Sequence, residues 1–292
     1  MKRVVPRRAS KKSPLLCYTY GPKKGLKSCQ AVFTAYEKMA GEIGNAHVIG
    51  DLVKDALKMD LNQETEEIGV WSNYNGNRIV FLPGSRENIR RKSLLFIQET
   101  VSLLTKEWGN FKPVVLFPPF AQDSELALWN ECGLNPIQSG AGFVMPKADY
   151  IVTQPGTNTL EIMHCGATGL VVAPLSFLRE IPISGIGGLI TKIPLLGLKL
   201  KEFVLRRKLN RLNGYVSWPN RLFNMSILDE LVGEITSYDA AQKIIEVFSD
   251  KKKLLLKRDE LLKLSALIKH SEHSAAEKIC NYIDNLSNVD EI

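Results

Sequence analysis

Along most of the chain the apolar positions gather into short runs separated by longer segments of helical period. Ile79 to Leu82, Val114 to Phe117, Tyr150 to Val152 and Leu170 to Ala173 are such runs. Runs this short, alternating with helix-length stretches, predict a parallel sheet wrapped by helices, and so an α/β fold. The segment after Arg86 keeps Ile89, Ile97, Val101 and Leu104 at helical spacing. Further upstream the pattern is thinner. Ala31 to Thr34 predicts a strand, Tyr36 to Ile43 a helix ending near Gly44, and His47 to Ile49 a second strand leading into a short helix from Gly50-Asp51 through Leu57. Residues 61–77 are polar, with an Asn-rich run at 73–77, and predict a linker or turn. Lys251 to Leu286 predicts one or two amphipathic helices, and no internal repeat is visible. The expected division is therefore 1–60, a linker at 61–77, a main domain at 78–250 and C-terminal helices at 251–292.

Composition narrows the class. The chain has 292 residues, 45% hydrophobic and 24% charged, which excludes disordered and fibrous proteins. No run of about 18 apolar residues is present, and the N-terminus carries charges where a secretory h-region would begin; the expected location is the cytoplasm. Pro6 and Pro14 spoil the amphipathic helix of a mitochondrial presequence. Five scattered cysteines without CxxC spacing and only four histidines predict reduced thiols rather than a zinc site or a disulfide framework. The net charge of +7 includes nine cations before Gln30 with no acid until Glu37, which leaves the remainder at −2. This basic head reads as a solvated tail or as a surface meeting anionic lipid. Nucleic acid is not the expected partner, because interleaved aromatics are lacking until Tyr18 and Tyr20.

Two strand exits carry the candidate chemistry. In a parallel sheet ligands sit at the carboxyl ends of strands, where free helix N–H groups face them. The first exit is Leu82-Pro-Gly-Ser-Arg86, in which Gly84 permits close backbone approach and Ser85 lies at the helix entrance. A cation such as Arg86 in a first helical turn opposes the macrodipole, and an anion at that point explains it. The alternative is a Ser85 N-cap with Arg86 in solvent. The second exit is Thr153-Gln-Pro-Gly-Thr-Asn-Thr-Leu-Glu161, where Gly156, Thr157 and Thr159 can cradle a phosphate. Here the alternative is a capping box, Asn158 at the N-cap and Glu161 at N3. Neither exit is a Walker A or GxGxxG sequence, which argues against ATPase and dehydrogenase chemistry. His164 reads as a packing histidine of the following helix.

These two elements, the Gly142-to-Asp149 approach and Tyr215-Val-Ser-Trp-Pro-Asn220 occur in the order and spacing of lipid-A-disaccharide synthases, and the chain resembles that family over roughly residues 18–250. The resemblance implies a GT-B glycosyltransferase. Residues 78–250 would form its Rossmann-like, nucleotide-sugar-binding C-terminal domain, and 1–60 the basic head and the remnant of an incomplete N-terminal domain. It implies a UDP-sugar as donor, UDP-2,3-diacylglucosamine in that family, an acylated sugar acceptor, no metal or other cofactor, and work at the inner face of the membrane. Arg86 resembles the arginine beside the donor phosphates, the Gly156-Thr157 turn the diphosphate loop, and Glu161 the acid that accepts from ribose hydroxyls. Asn220 resembles the asparagine of a Leu-Pro-Asn turn, with Trp218 in place of the leucine; its alternative is a plain turn residue.

Departures from the family pattern shape the expectation. The family's Gly-His-Pro segment reads Gly50-Asp51-Leu52 here, and Asp51 receives no role. The opening strands of the N-terminal half have no counterpart, so no base is assigned and a separately encoded N-terminal half is a candidate partner. Other lipid or polysaccharide acceptors, and a non-catalytic UDP-sugar-binding half, are the alternatives. Ile181 to Leu198 is apolar and broken by Gly and Pro, and residues 199–211 net +5. Together they predict peripheral contact with anionic headgroups, or else a helix packed on its own domain.

Overall fold

The computed structural model describes residues 15–60, 68–174, 214–267 and 273–289. The chain forms two compact units, Met1–Ala56 with Lys269–Ile292, and Leu57–Ile268. The expected membrane-contact segment, 181–211, lies outside the described residues.

The first unit holds a parallel sheet of β1 (Leu16–Tyr18), β2 (Ala31–Thr34) and β3 (His47–Val48), in the order β1-β2-β3. β2 is the central strand and is buried throughout, which is why it reads as an apolar run. Helix α1 (Glu37–Ile43) connects β2 to β3, and α2 (Leu52–Asp60) follows β3. At the start of α2, Asp51 is buried and accepts from the hydroxyls of Tyr20 and Tyr36, each at 2.7 Å, while its Oδ1 also caps the Val53 N–H at 3.0 Å.

The second unit is a six-stranded sheet with every observed pairing parallel. Its strands are β4 (Asn77–Phe81), β5 (Phe111–Phe117), β6 (Pro136–Gln138), β7 (Tyr150–Thr153), β8 (Gly169–Pro174) and β9 (Asp229–Gly233), ordered β6-β5-β4-β7-β8-β9. This is the doubly wound, Rossmann-like order, in which the chain starts in the middle, builds outward one way, then returns to build the other. The interior strands are buried on both faces, so Ile79, Phe81, Val115, Phe117, Tyr150, Val152, Leu170 and Val172 form one core. The α/β class with parallel sheets expected from the sequence is the one observed.

Helices α3 (Glu87–Glu107), α4 (Asp123–Glu131), α5 (Ala141–Val144), α6 (Asn158–His164), α7 (Trp218–Phe223), α8 (Ser237–Ser249) and α9 (Lys251–Leu267) surround this sheet, and α10 (Ala275–Val289) lies in the first unit. The two C-terminal helices thus fall in different units. α3 buries Ile89, Ile97 and Leu104 on one face, together with Arg90, Ser93 and Thr100. α6 ends in a Schellman turn, with Gly166 at φ +60° and the N–H groups of Gly166 and Ala167 bonding back to Met163 and Ile162. The segment before β4 is not all free linker: Trp71 is buried, and its indole N–H donates to the Lys112 carbonyl at 3.2 Å. No helix among the described residues is long and apolar enough to cross a membrane.

Candidate functional site

β4 and β7 are neighbours at the point where the strand order reverses, and their carboxyl ends open onto the two loops singled out in the sequence. Connections from these strands leave in opposite directions, so a crevice forms between them. It measures about 270 Å³ and is lined by Gly84, Ser85, Arg86 and Ile89 from one side and by Gln154, Pro155, Gly156, Thr157 and Asn158 from the other. Val172 and Ala173 of β8 complete the wall.

The first loop is anchored from beneath. Gly84 takes φ +101°, a conformation open to glycine. The Pro83 carbonyl accepts from Ser93 Oγ at 2.9 Å and from Gln154 Nε2 at 3.2 Å, which also joins the two loops. The Ser85 carbonyl accepts from Arg90 at 3.0 Å. The N-cap of α3 is Arg86, not Ser85, and no side chain caps it. Arg86 is exposed and has no ion-pair partner among the described residues. An unpaired cation beside uncapped helix N–H groups forms a site of positive potential for an anion.

The second loop differs in detail from the expected pattern. α6 starts at Asn158, with Thr157 as its N-cap and no side-chain cap, so the capping-box alternative is overturned. Asn158 is already helical and Glu161 stands one position past N3. Glu161 is half-buried on α6 and does not line the crevice. Thr159 is fully buried: its hydroxyl donates to the Gly156 carbonyl at 2.8 Å and accepts from the Trp218 N–H at 3.1 Å. It shapes the loop from within rather than presenting a donor to a phosphate.

Asn220 likewise has a different position from that expected of a substrate contact. It is fully buried, its amide nitrogen donates to the Leu228 carbonyl and to Glu230, and its oxygen accepts from the N–H groups of Ile227 and Leu228, all at 2.8 Å. With both ends of the amide engaged, Asn220 braces the turn and has no free group for a donor sugar. Glu230 organises the same turn by accepting from the N–H groups of Val216 and Ser217, both at 2.9 Å, and from the Ser217 hydroxyl at 2.6 Å. Six of the nine residues expected at the site therefore line the crevice; Thr159, Glu161 and Asn220 stand behind it. His164 is half-buried in the last turn of α6.

Gln154, Arg90 and Glu230 are the contributors that sequence reasoning left unassigned. Gln154 lay within the second motif, and its place between the strand and the Gly turn was the available signal. Arg90 gave one too, as a cation standing in the apolar stripe of α3. A second depression, about 500 Å³ and shallower, lies between the C-terminal half of α3 and the start of α8. None of the residues of the two Gly-containing loops lines it.

No family model matches the sequence, and no curated protein matches it. Among solved structures, the fold is similar to that of a protein described as a UDP-N-acetylglucosamine 2-epimerase from Listeria monocytogenes, at 12% identity and a TM-score of 0.50. That match covers 90% of this chain and 61% of the other. A spinosyn rhamnosyltransferase complexed with thymidine diphosphate matches at 11% identity and a TM-score of 0.44, over 83% of this chain and 54% of the other. The chain spans less than two thirds of the length of these neighbours. The likeness to the first places the fold with the GT-B, Rossmann-like proteins.

Proposed function

We propose that this protein binds a UDP-sugar in the β4–β7 crevice and acts as a glycosyltransferase resembling lipid-A-disaccharide synthase, passing an acylated glucosamine to a lipid-linked sugar acceptor. The observation that carries the reading is the pairing of two uncapped helix starts with Arg86, unpaired among the described residues, at the reversal of the strand order. A departing UDP gathers negative charge on its diphosphate, and preorganised N–H donors plus a cation stabilise that charge without reorganisation. Arg86 and the amides of the two loops supply it here, so this reading requires no metal.

All the residues lining the crevice belong to the second unit. This favours a second reading, a non-catalytic UDP-sugar-binding half that needs a separately encoded N-terminal partner; a transferase acting on another lipid or polysaccharide acceptor is the alternative among enzymes. Calorimetry with UDP tests the shared first step. Removing a charge-assisted contact costs about 1.5–3 kcal/mol, so Arg86→Ala should weaken UDP binding by about tenfold or more. Equal affinities for the two folded proteins would remove Arg86 from the site. Incubation with UDP-2,3-diacylglucosamine and an acylated glucosamine phosphate then separates the readings, since only the first yields UDP together with disaccharide.

A further inference from the structure

Arg90 is 3% exposed although it lies in the first turn of α3, where a cation opposes the helix dipole. An apolar side chain on this face would avoid the cost of desolvating a charge. The guanidinium is held on two sides. Its Nε and Nη2 donate to the two carboxylate oxygens of Glu125, each at 2.7 Å, and its Nη1 donates to the Ser85 carbonyl at 3.0 Å. Glu125 comes from the first turn of α4, and the rings of Phe117 and Phe120 lie 5.9 and 6.0 Å from the guanidinium carbon.

We propose that Arg90, locked in one orientation by Glu125, is the positioning residue that fixes the Ser85–Arg86 peptide and aims the Arg86 N–H at the diphosphate of the donor. The inference rests on the donor-binding reading above. A trans peptide is planar, with its N–H directed opposite to its C=O. When Arg90 draws the Ser85 carbonyl toward the core, the Arg86 N–H is turned the other way. The Pro83 carbonyl is held by Ser93 and Gln154, which fixes the peptide preceding Gly84 as well. A lysine could pair with Glu125, but its single ammonium cannot hold both carboxylate oxygens and a third acceptor in the plane of a guanidinium fork.

The test uses the full chain and UDP as probe. An R90M/E125L double variant removes both charges together, so neither is left buried alone, and stability should hold. Its thermal midpoint is expected to stay close to that of the wild type while UDP affinity falls about tenfold. The amides of residues 89 and 90, which bond to the Arg86 carbonyl at 3.0 and 2.9 Å, should exchange with solvent faster. A second variant, Arg90→Lys, keeps the charge pair and drops the Ser85 contact; it should show the same loss of affinity. Wild-type affinity and wild-type exchange in either folded variant overturn the proposal. If the wild type itself does not bind UDP, the donor reading fails separately, and exchange then decides the anchoring: faster exchange in the variants supports it, and unchanged exchange overturns it.

Discussion

The N–H of Trp218 donates at 3.1 Å to the hydroxyl of Thr159, which donates in turn at 2.8 Å to the carbonyl of Gly156. One hydroxyl thus ties the Trp-Pro-Asn turn to the Gly turn that lines the crevice. Behind Trp218 the turn is held by Asn220 and Glu230, so a rigid chain of polar contacts runs from β9 to the second loop. These residues act on the site by holding its wall.

Asn220→Ala should therefore behave as a stability variant. It leaves the N–H groups of Ile227 and Leu228 without their acceptor in a buried setting, at about 1–3 kcal/mol for each unsatisfied group. Urea denaturation should show a loss of about 3 kcal/mol or more. Arg86→Ala, at an exposed position, should leave the urea midpoint nearly unchanged. The reverse ranking would make Asn220 a ligand contact after all.

Gly84→Ala probes the first loop. At φ +101° an alanine is strained, and its Cβ would stand 2.9 Å from the Ile89 Cγ2. Backbone strain of this kind costs about 1–3 kcal/mol, and the loop can relieve it only by moving. Both the unfolding midpoint and UDP affinity should fall. Unchanged affinity would show that the Gly84 backbone does not approach the ligand.

Alkaline pH should destabilise both units. Burial, reinforced by the charge of Asp51, raises the pKa of Tyr18, Tyr20 and Tyr36 above the ordinary tyrosine range. Burial, reinforced by Asp229, does the same to Tyr150. A group whose pKa is raised on folding adds stability that is complete below its unfolded pKa, about 10 for tyrosine, and is lost as pH rises beyond that. Four of the eight tyrosines should thus give their phenolate absorbance only as the protein unfolds. All eight ionising together in the folded state would contradict this.

Membrane association is tested on the basic segment of the sequence. The R206E/R207E/K208E triple variant should release the protein from anionic vesicles in sedimentation, and added salt should weaken wild-type binding. Unchanged sedimentation of the triple variant would remove this segment as the anchor.

The parts of the fold that were legible in the sequence are those whose environment is uniform along the chain. β4, β5, β7 and β8 are buried on both faces and so appear as apolar runs, and the two loops announce themselves through Gly84 and Gly156. β6 and β9 lie at the sheet edges, one opening with Pro136 and the other with Asp229 and Glu230, and neither shows an apolar run. β1, also an edge strand, does carry an apolar run, Leu15-Leu16-Cys17-Tyr18, but the run directly follows the basic, Pro-interrupted head and is masked by it. Helix starts were displaced by one residue at Arg86 and Thr157, because Ser85 and Asn158 resemble good caps whether or not the backbone uses them. Asn220 was read as a site residue because an asparagine in a turn looks the same from the sequence whether its amide faces a ligand or Leu228 and Glu230. Arg90 and Glu125 are 35 residues apart, and nothing local marks them as a pair.

The central claim is that the crevice between β4 and β7 holds the diphosphate of a nucleotide sugar. A crystal structure of the full chain grown with UDP tests it most directly. The expected result is a diphosphate with oxygens about 2.7–3.2 Å from amides of Gly84 to Arg86 and of Gly156 to Asn158, with the Arg86 guanidinium turned toward it. UDP bound elsewhere, such as in the depression between α3 and α8, or a crevice that stays empty at saturating UDP, would contradict it.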